Sequence, residues 1–520
     1  MSTLISGASL LLPAAIAMAM RVAVLGRPPF TDDGWYASVA KLSPGMSEPL
    51  IHSPITLYPR LLSWLVTDSG TQTLLHLRVA DGVFAGLAAA ALSRLLGHIC
   101  GSVRGCLIAC LWAAAANMPI FIDGGFKNQI IAATALLCLA LCCLMPRGNA
   151  RPSLGRILLG GVLAAMAVLF RESFAPLALV AIAVCFVRSG GKHAAWFIIA
   201  AACTGIAGLS WVAGGPHRVM ELVQAWRTTA SGLANFSTIM NRPWSVVFKD
   251  SLTQAMGGAS WSVPLAVAAV VGGTLRGVKR RLHLRHEGEP RCSSRRLAPW
   301  LGAGLIGALL PEMALKLVFP YHLGQLLLGA AVLGAVCLDG VSLRWRRGRW
   351  VVGSVSTACV ILSSWLATEN WAGVRWAWRE SNRWWPVMVR RESRPELVAD
   401  SFYLRLASAV ERVSKPGDRV LLSGLYYTTF ALTPAQPFSG IAVDASFLMC
   451  LPDGAIKTRA LEQLRDSPPR IIVESKRIAT DLAAIVPGFP AQYTLAEELK
   501  PGTYASYGPY DAKVWVRNAE

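Results

Sequence analysis

Acidic residues are scarce in this chain: 30 Asp and Glu stand against 50 Lys and Arg among 520 residues, a formal net charge of +20. Charged residues of both signs make up only 15% while 54% are hydrophobic, too little charge to solvate the surface of a soluble enzyme of this length. Neither a CxxC…CxxC nor an HExxH spacing occurs, which removes the usual signatures of a cysteine or histidine metal site. Most of the 12 cysteines lie in or beside apolar stretches (Cys138, Cys142, Cys143, Cys185, Cys203, Cys337), where they act as small apolar side chains. The region after residue 369 holds one, Cys450, which excludes a disulfide framework there. No glycine-rich phosphate loop follows a strand and opens a helix, and there is neither an internal repeat nor a low-complexity linker.

What the chain has in abundance is apolar blocks of membrane-spanning length. Eleven are legible: about 3–24, 79–96, 105–121, 129–145, 156–170, 174–187, 194–214, 261–278, 298–318, 322–338 and 351–368. A helix needs ~20 apolar residues to cross ~30 Å of hydrocarbon. The blocks therefore predict a polytopic α-helical membrane protein, with 156–170 and 174–187 short enough to form a re-entrant pair. The positive charge falls in alternate short loops: Arg94/Arg104, Arg147/Arg151/Arg156, Arg188/Lys192, Arg276 to Arg296 and Arg344 to Arg349. That is the positive-inside pattern of a multi-pass protein of the cytoplasmic (inner) membrane with a cytoplasmic N-terminus, and it leaves no call for nucleic acid. The first block lacks a basic n-region and a clear small-residue cleavage site, so it reads as a retained helix.

Two parts follow. Residues 1–368 form the membrane domain, with substantial outer loops at 25–78 and 215–260; residues 369–520 read as an extracytoplasmic α/β domain. In the latter, Arg419-Val-Leu-Leu-Ser-Gly424 and Arg470-Ile-Ile-Val-Glu474 are buried-strand patterns, each preceded by a helical pattern at about 397–413 and 456–466. The joining segment, 371–394, sets Trp371, Trp376, Trp378, Trp384 and Trp385 among Arg375, Arg379, Arg383, Arg390, Arg391 and Arg394. Indoles and guanidiniums mixed in this way suit a segment lying along lipid headgroups, or one touching an anionic lipid or polymer.

Thr31-Asp32-Asp33-Gly34-Trp35-Tyr36-Ala37 is the stretch that points to chemistry. Two adjacent carboxylates stand where the first outer loop leaves the bilayer, and desolvation there raises a carboxyl pKa toward the range of a general base. The bland alternative is an Asp N-cap opening a helix over Trp35 to Leu42. Pattern alone leaves both open.

The order of features resembles that of the type C glycosyltransferases, polytopic enzymes that use polyprenyl-phosphate sugars, in the branch similar to protein mannosyltransferases and lipid A aminoarabinose transferases. Three stretches carry the likeness after the acidic pair: His52-Ser53-Pro54-Ile55-Thr56-Leu57-Tyr58, Leu77-Arg78-Val79-Ala80-Asp81-Gly82, and Phe319-Pro320-Tyr321-His322-Leu323. A basic juxtamembrane link into a soluble domain completes it.

The resemblance implies an inverting transfer in which Asp32 or Asp33 deprotonates an acceptor hydroxyl and polyprenyl phosphate leaves into the membrane. It implies substrate contacts from Tyr36, His52, Tyr58, Arg60, Lys127, Arg171, Lys316, Tyr321 and His322. The cations among these, with Lys41, would face the leaving phosphate. One departure is informative. Many members carry a second acidic residue near Asp123-Gly-Gly-Phe-Lys127-Asn128, where this chain has Asn128. The expectation is therefore no metal site and no obligatory cofactor, with a divalent cation possible.

The expected partners are a polyprenyl-phosphate sugar donor, a cell-envelope glycan, lipid or protein acceptor, and membrane lipids. Arg171-Glu172 reads as an internal ion pair, with Arg171 as the alternative contact for a phosphate. Two competing readings are a flippase or transporter for lipid-linked sugars and an O-antigen ligase or polymerase. The first expects Gly/Pro-broken helices repeated in two halves, and the second rests on a large late loop with Arg and His.

Overall fold

A computed structural model describes residues 2–29, 31–42, 57–66, 70–117, 128–146, 150–239, 294–307, 327–336, 375–415, 417–424, 426–440, 444–475, 480–500 and 511–518. The chain begins with α1 (Ser2–Val22), α2 (Thr31–Leu42) and α3 (Leu57–Leu61). A bundle of long helices follows: α4 (Gly70–Cys100), α5 (Ser102–Ala116), α6 (Asn128–Leu144), α7 (Leu154–Phe170), α8 (Ala175–Ser189), α9 (Gly191–Ala213) and α10 (Val219–Ile239). Then come α11 (Ser294–Gly307) and α12 (Leu327–Val336).

Among the described residues three helical stretches are long and apolar enough to cross a membrane: Gly70–Cys100, Glu172–Ser189 and Gly191–Ala213. Six shorter apolar helices accompany them. Eleven spans are thus not all present at full length in the described part, and the blocks 261–278 and 351–368 lie outside it. Blocks 156–170 and 174–187, read as a short pair, are α7 and α8, joined by the 3-10 turn Glu172–Phe174 that brings the second to spanning length.

The bundle closes through small residues, which let helix backbones approach. A Cβ at Gly105 of α5 would lie 2.5 Å from the Gly97 nitrogen of α4. One at Gly161 of α7 would lie 2.5 Å from the Phe197 carbonyl of α9. α4 also corrects the expected loop boundary. Its first nine residues, 70–78, read as loop, are helical, and Gln72, Thr73 and Arg78 among them are buried by protein. The expected loop 215–260 likewise carries a 21-residue helix, α10.

The last part opens with α13 (375–388), then α14 (Pro395–Asp400), α15 (Phe402–Val413), β1 (Arg419–Ser423), α16 (Thr428–Leu432) and β2 (Gln436–Pro437). It continues with α17 (Ala445–Cys450), α18 (Ala455–Asp466), β3 (Ile471–Glu474), α19 (Leu482–Ile485), β4 (Tyr493–Leu499) and β5 (Ala512–Arg517). The helical pattern at 397–413 breaks at Ser401, whose Oγ accepts the Leu404 N–H and so caps α15.

The sheet runs β2-β1-β3-β5-β4, with β2, β1 and β3 parallel and β5 and β4 antiparallel. Strand alternation splits its faces. Leu421 and Ile472 pack under α17, α18 and α19, whereas Val420, Leu422, Ile471 and Val473 join one continuous core with the helical bundle. The sheet is therefore seated on the bundle.

Candidate functional site

The site is assembled where α1 ends and α2 begins. Between them lies an elbow, residues 23–29, whose Pro28 and Pro29 have no N–H and whose Leu25, Arg27 and Pro28 carbonyls need a donor from outside the helices. Arg78 of α4, fully buried, meets that need: its guanidinium donates to the carbonyls of Leu25 (2.8 Å), Arg27 (2.5 Å) and Pro28 (3.2 Å). A planar fork with several donors can satisfy diverging acceptors where an ammonium cannot.

Directly beside it, Arg21 near the end of α1 donates to Asp81 of α4 (2.5 Å) and to Asn117 Oδ1 at the end of α5 (2.6 Å). Arg21, Asp81 and Asn117 are 2%, 0% and 0% exposed, so this ion pair lies in the core, where a charge persists only when paired. It locks α1, α4 and α5 in axial register. The elbow's other flank meets α13: the Gly26 N–H donates to Ser381 Oγ (2.9 Å), and Arg27 lies over the Trp376 ring at 5.5 Å. Gly26 permits the approach, since a Cβ there would sit 2.4 Å from the Ser381 carbonyl.

The elbow delivers the acidic pair into α2, which starts at Thr31, so positions 32 and 33 fall in its first turn. That turn is where a helix macrodipole favours negative charge. Successive positions stand ~100° apart around the axis.

α2 is clamped against α16. Ser38 Oγ reaches the carbonyls of Tyr427 (2.6 Å) and Gly34 (2.8 Å), and Trp35 packs on Tyr427 with ring centroids 4.3 Å apart. Lys41 Nζ donates to the carbonyls of Phe430 (3.1 Å) and Thr433 (2.5 Å), capping the end of α16. Lys41, read as a candidate phosphate cation, is thus engaged in holding the two helices together.

The remaining sequence candidates divide. Tyr36 is buried in α2. Tyr58, 1% exposed, lies against Phe84 and Phe170 with centroids 5.5 and 5.2 Å away. Its hydroxyl has no hydrogen-bond partner among the described residues, and burial pushes its pKa well above the usual phenol value. Arg60 donates to the Val212 carbonyl at the end of α9, and burial lowers its pKa to about 10.

Arg171 Nε donates to Ser173 Oγ at 3.3 Å, while Glu172 is exposed; the expected Arg171–Glu172 ion pair does not form. Adjacent side chains at the start of a 3-10 turn diverge. His52, Lys127, Lys316, Tyr321 and His322 lie outside the described residues, as do Asp123 and Trp371. Among the described residues no group of three His, Cys, Asp or Glu is placed to hold a metal ion.

Sequence reasoning missed Arg21 and Asn117 and quoted Arg78 and Asp81 only as part of a motif. The available signal was a lone carboxylate and a lone guanidinium each inside or bordering an apolar block, a pattern that in membrane helices marks a buried partner.

No family model and no curated protein matches the sequence. Solved structures do match. The oligosaccharyltransferase of Archaeoglobus fulgidus in its apo form aligns with TM-score 0.50 at 12% identity, over 97% of this chain and 74% of its own. ArnT from Cupriavidus metallidurans bound to undecaprenyl phosphate aligns at 0.49 and 14%, over 97% of each chain. The A. fulgidus oligosaccharyltransferase AglB with an inhibitory peptide and a dolichol-phosphate aligns at 0.46 and 12%, over 97% of this chain and 74% of its own. With three helices long and apolar enough to cross a membrane among its described residues, the chain has a fold similar to that of the archaeal oligosaccharyltransferase.

Proposed function

We propose that this protein is an inverting glycosyltransferase. In this reading it moves a sugar from a polyprenyl-phosphate-linked donor to an extracytoplasmic acceptor, with Asp32 or Asp33 as general base. The observation that carries the reading is the mounting of the acidic pair: two carboxylates open α2 immediately after α1, on an elbow braced by Arg78 and a helix clamped by Ser38 and Lys41. A base must be held to a fraction of an ångström to assist attack on an anomeric carbon, and a surface loop with two incidental acids needs no such bracing. The type C fold supports glycosyl transfer. The absence of a glycine-rich phosphate loop from the sequence favours a lipid-linked donor over a nucleotide sugar.

In the proposed reaction the acceptor oxygen loses its proton to the carboxylate and bonds to the anomeric carbon. The bond from that carbon to the phosphate oxygen breaks, and polyprenyl phosphate departs with the electron pair. Developing phosphate charge calls for preorganised cations. Arg60 and Arg171 are the described candidates, on elements brought together by Tyr58 and Phe170, whose ring centroids lie 5.2 Å apart.

The test is mass spectrometry of envelope glycolipids and glycans from cells lacking the protein, complemented with wild type, Asp32→Asn or Asp33→Asn at matched membrane abundance. Wild type should restore a sugar-sized mass increment, and at least one Asn variant should not. Full restoration by both variants would reduce the pair to incidental first-turn charges on α2 and remove the reading's main support.

A further inference from the structure

The segment that joins bundle and sheet holds a feature the proposed transfer does not use. A cleft of about 450 Å³ lies between the end of α1 and α13, lined by Val22, Trp378, Ser381, Asn382, Trp385 and Arg390 among others. We propose that this cleft binds the phosphate headgroup of an anionic phospholipid of the surrounding leaflet.

Three observations carry the inference, and none depends on glycosyl transfer. First, the cleft opens at the top of an apolar stripe on α1: Leu11, Met18 and Val22 are 71%, 42% and 53% exposed and fall on one side of the helix. In a membrane helix such a stripe meets acyl chains, so a lipid whose tails lie along it brings its headgroup to Val22. Second, the cleft walls are two indoles, Trp378 and Trp385, the side chain suited to the depth where chains give way to headgroups. Third, the polar groups in the cleft suit a phosphate. Arg390 is a permanent cation, the Asn382 amide is exposed, and Ser381 Oγ accepts the Gly26 N–H, which leaves its own O–H to donate.

The surrounding charge favours an anionic lipid over a zwitterionic one. Residues 375–394 contain six arginines against Glu380 and Glu392. Those two carboxylates are already shared: Glu380 with Arg383 (4.0 Å), and Glu392 with Arg394 (3.0 Å) and, more distantly, Arg390 (3.8 Å). Arg383 also pairs with Asp400. Arg390, with its side chain 67% exposed, keeps most of its charge for a phosphate, and Arg375 and Arg379 add field without lining the cleft. The two indoles and one amide give shape selectivity that a diffuse basic face would not.

The experiment is native mass spectrometry of the full chain in detergent, offered phosphatidylglycerol, phosphatidylcholine or undecaprenyl phosphate in turn. Thermal melts would confirm that each variant is folded. Phosphatidylglycerol adducts should exceed phosphatidylcholine adducts about fivefold. Arg390→Gln and Asn382→Leu, both at exposed positions, should each lower phosphatidylglycerol occupancy about threefold, and Arg375→Gln should leave it nearly unchanged. Equal binding of the two phospholipids would overturn the proposal. So would a loss in Arg375→Gln as large as in Arg390→Gln, which would mean diffuse attraction, or uptake of undecaprenyl phosphate alone. Because sugar transfer is not measured, failure here leaves the glycosyltransferase reading standing, and failure of that reading leaves this one.

Discussion

Gly34 of α2 lies so close to Thr428 of α16 that a Cβ placed on it would stand 2.1 Å from Thr428 Oγ1 and 2.5 Å from both Thr428 Cβ and Cγ2. The residue after the acidic pair is therefore glycine because another helix occupies the space. Gly34→Ala should push α2 off α16 and cost about 1–3 kcal/mol, the usual range for overpacking, visible as a lower melting temperature. The displacement begins one residue from Asp33, so product formation should fall further than protein abundance does. The rescue is specific: Thr428→Gly removes the clashing Cβ and should restore much of the loss, whereas Thr428→Ala keeps that Cβ and should restore little. Equal rescue by both would show that contact with Thr428 is not the cause.

Arg21 and Asp81 give a prediction about the register of the bundle. Asp81→Leu leaves the Arg21 guanidinium buried with Asn117 as its remaining neighbour of those two, and removing one partner of a buried ion pair typically costs about 3–5 kcal/mol. Arg21→Met combined with Asp81→Leu removes both charges and should be markedly less damaging than the sum of the single changes. Melting temperatures of the four proteins in one detergent close the cycle. Additive losses would mean that the 2.5 Å contact carries no coupling.

Much of this architecture was legible in the sequence because apolar block length and strand patterns are local signals. The start of α2 at the acidic pair, β1 at Arg419–Ser423 and β3 at Ile471–Glu474 fell close to where the patterns put them. The first nine residues of α4, 70–78, were not legible. Gln72, Thr73 and Arg78 look like loop residues, yet all three are buried, Arg78 against the elbow. β4 and β5 were missed for a related reason: Thr494, Leu495, Ala496 and Glu497 on β4 lack a buried apolar run, and the strand is held by pairing with β5. The candidate site divides in the same way. The acidic pair stands out as a motif, whereas its supports, Ser38, Lys41, Arg21 and Asp81, act through partners tens to hundreds of residues away that no spacing rule connects.

Arg78 should prove irreplaceable by lysine. Its guanidinium serves three carbonyls of the elbow at once, Leu25, Arg27 and Pro28, and a single ammonium nitrogen cannot span them. Arg78→Lys keeps the charge yet strands at least one buried carbonyl, for a cost of about 1–3 kcal/mol. If the elbow sets the position of α2, kcat should fall with KM for the lipid donor little changed, since the acceptor-activating carboxylate moves while donor contacts from other elements stay. A rise in KM alone would assign Arg78 to donor binding instead.

Tyr493 yields a prediction about alkaline stability. Its hydroxyl donates to the Pro469 carbonyl at 2.7 Å, and burial, opposed by the nearby Arg517 charge, pushes its pKa up to about 12. The unfolded phenol titrates near 10. Below about pH 10 both states hold the proton and this group adds no pH dependence. Between about 10 and 12 the unfolded chain releases the proton while the folded one retains it, so stability falls as pH rises through that window. Tyr493→Phe removes the ionisation together with the hydrogen bond, for about 1 kcal/mol at neutral pH. Its melting temperature should start lower than wild type at pH 8 and then decline less steeply between pH 10 and 11.5. Parallel declines in the two proteins would mean that Tyr493 ionises in the folded protein as readily as in the unfolded chain, and that the strand β4 end is open to solvent.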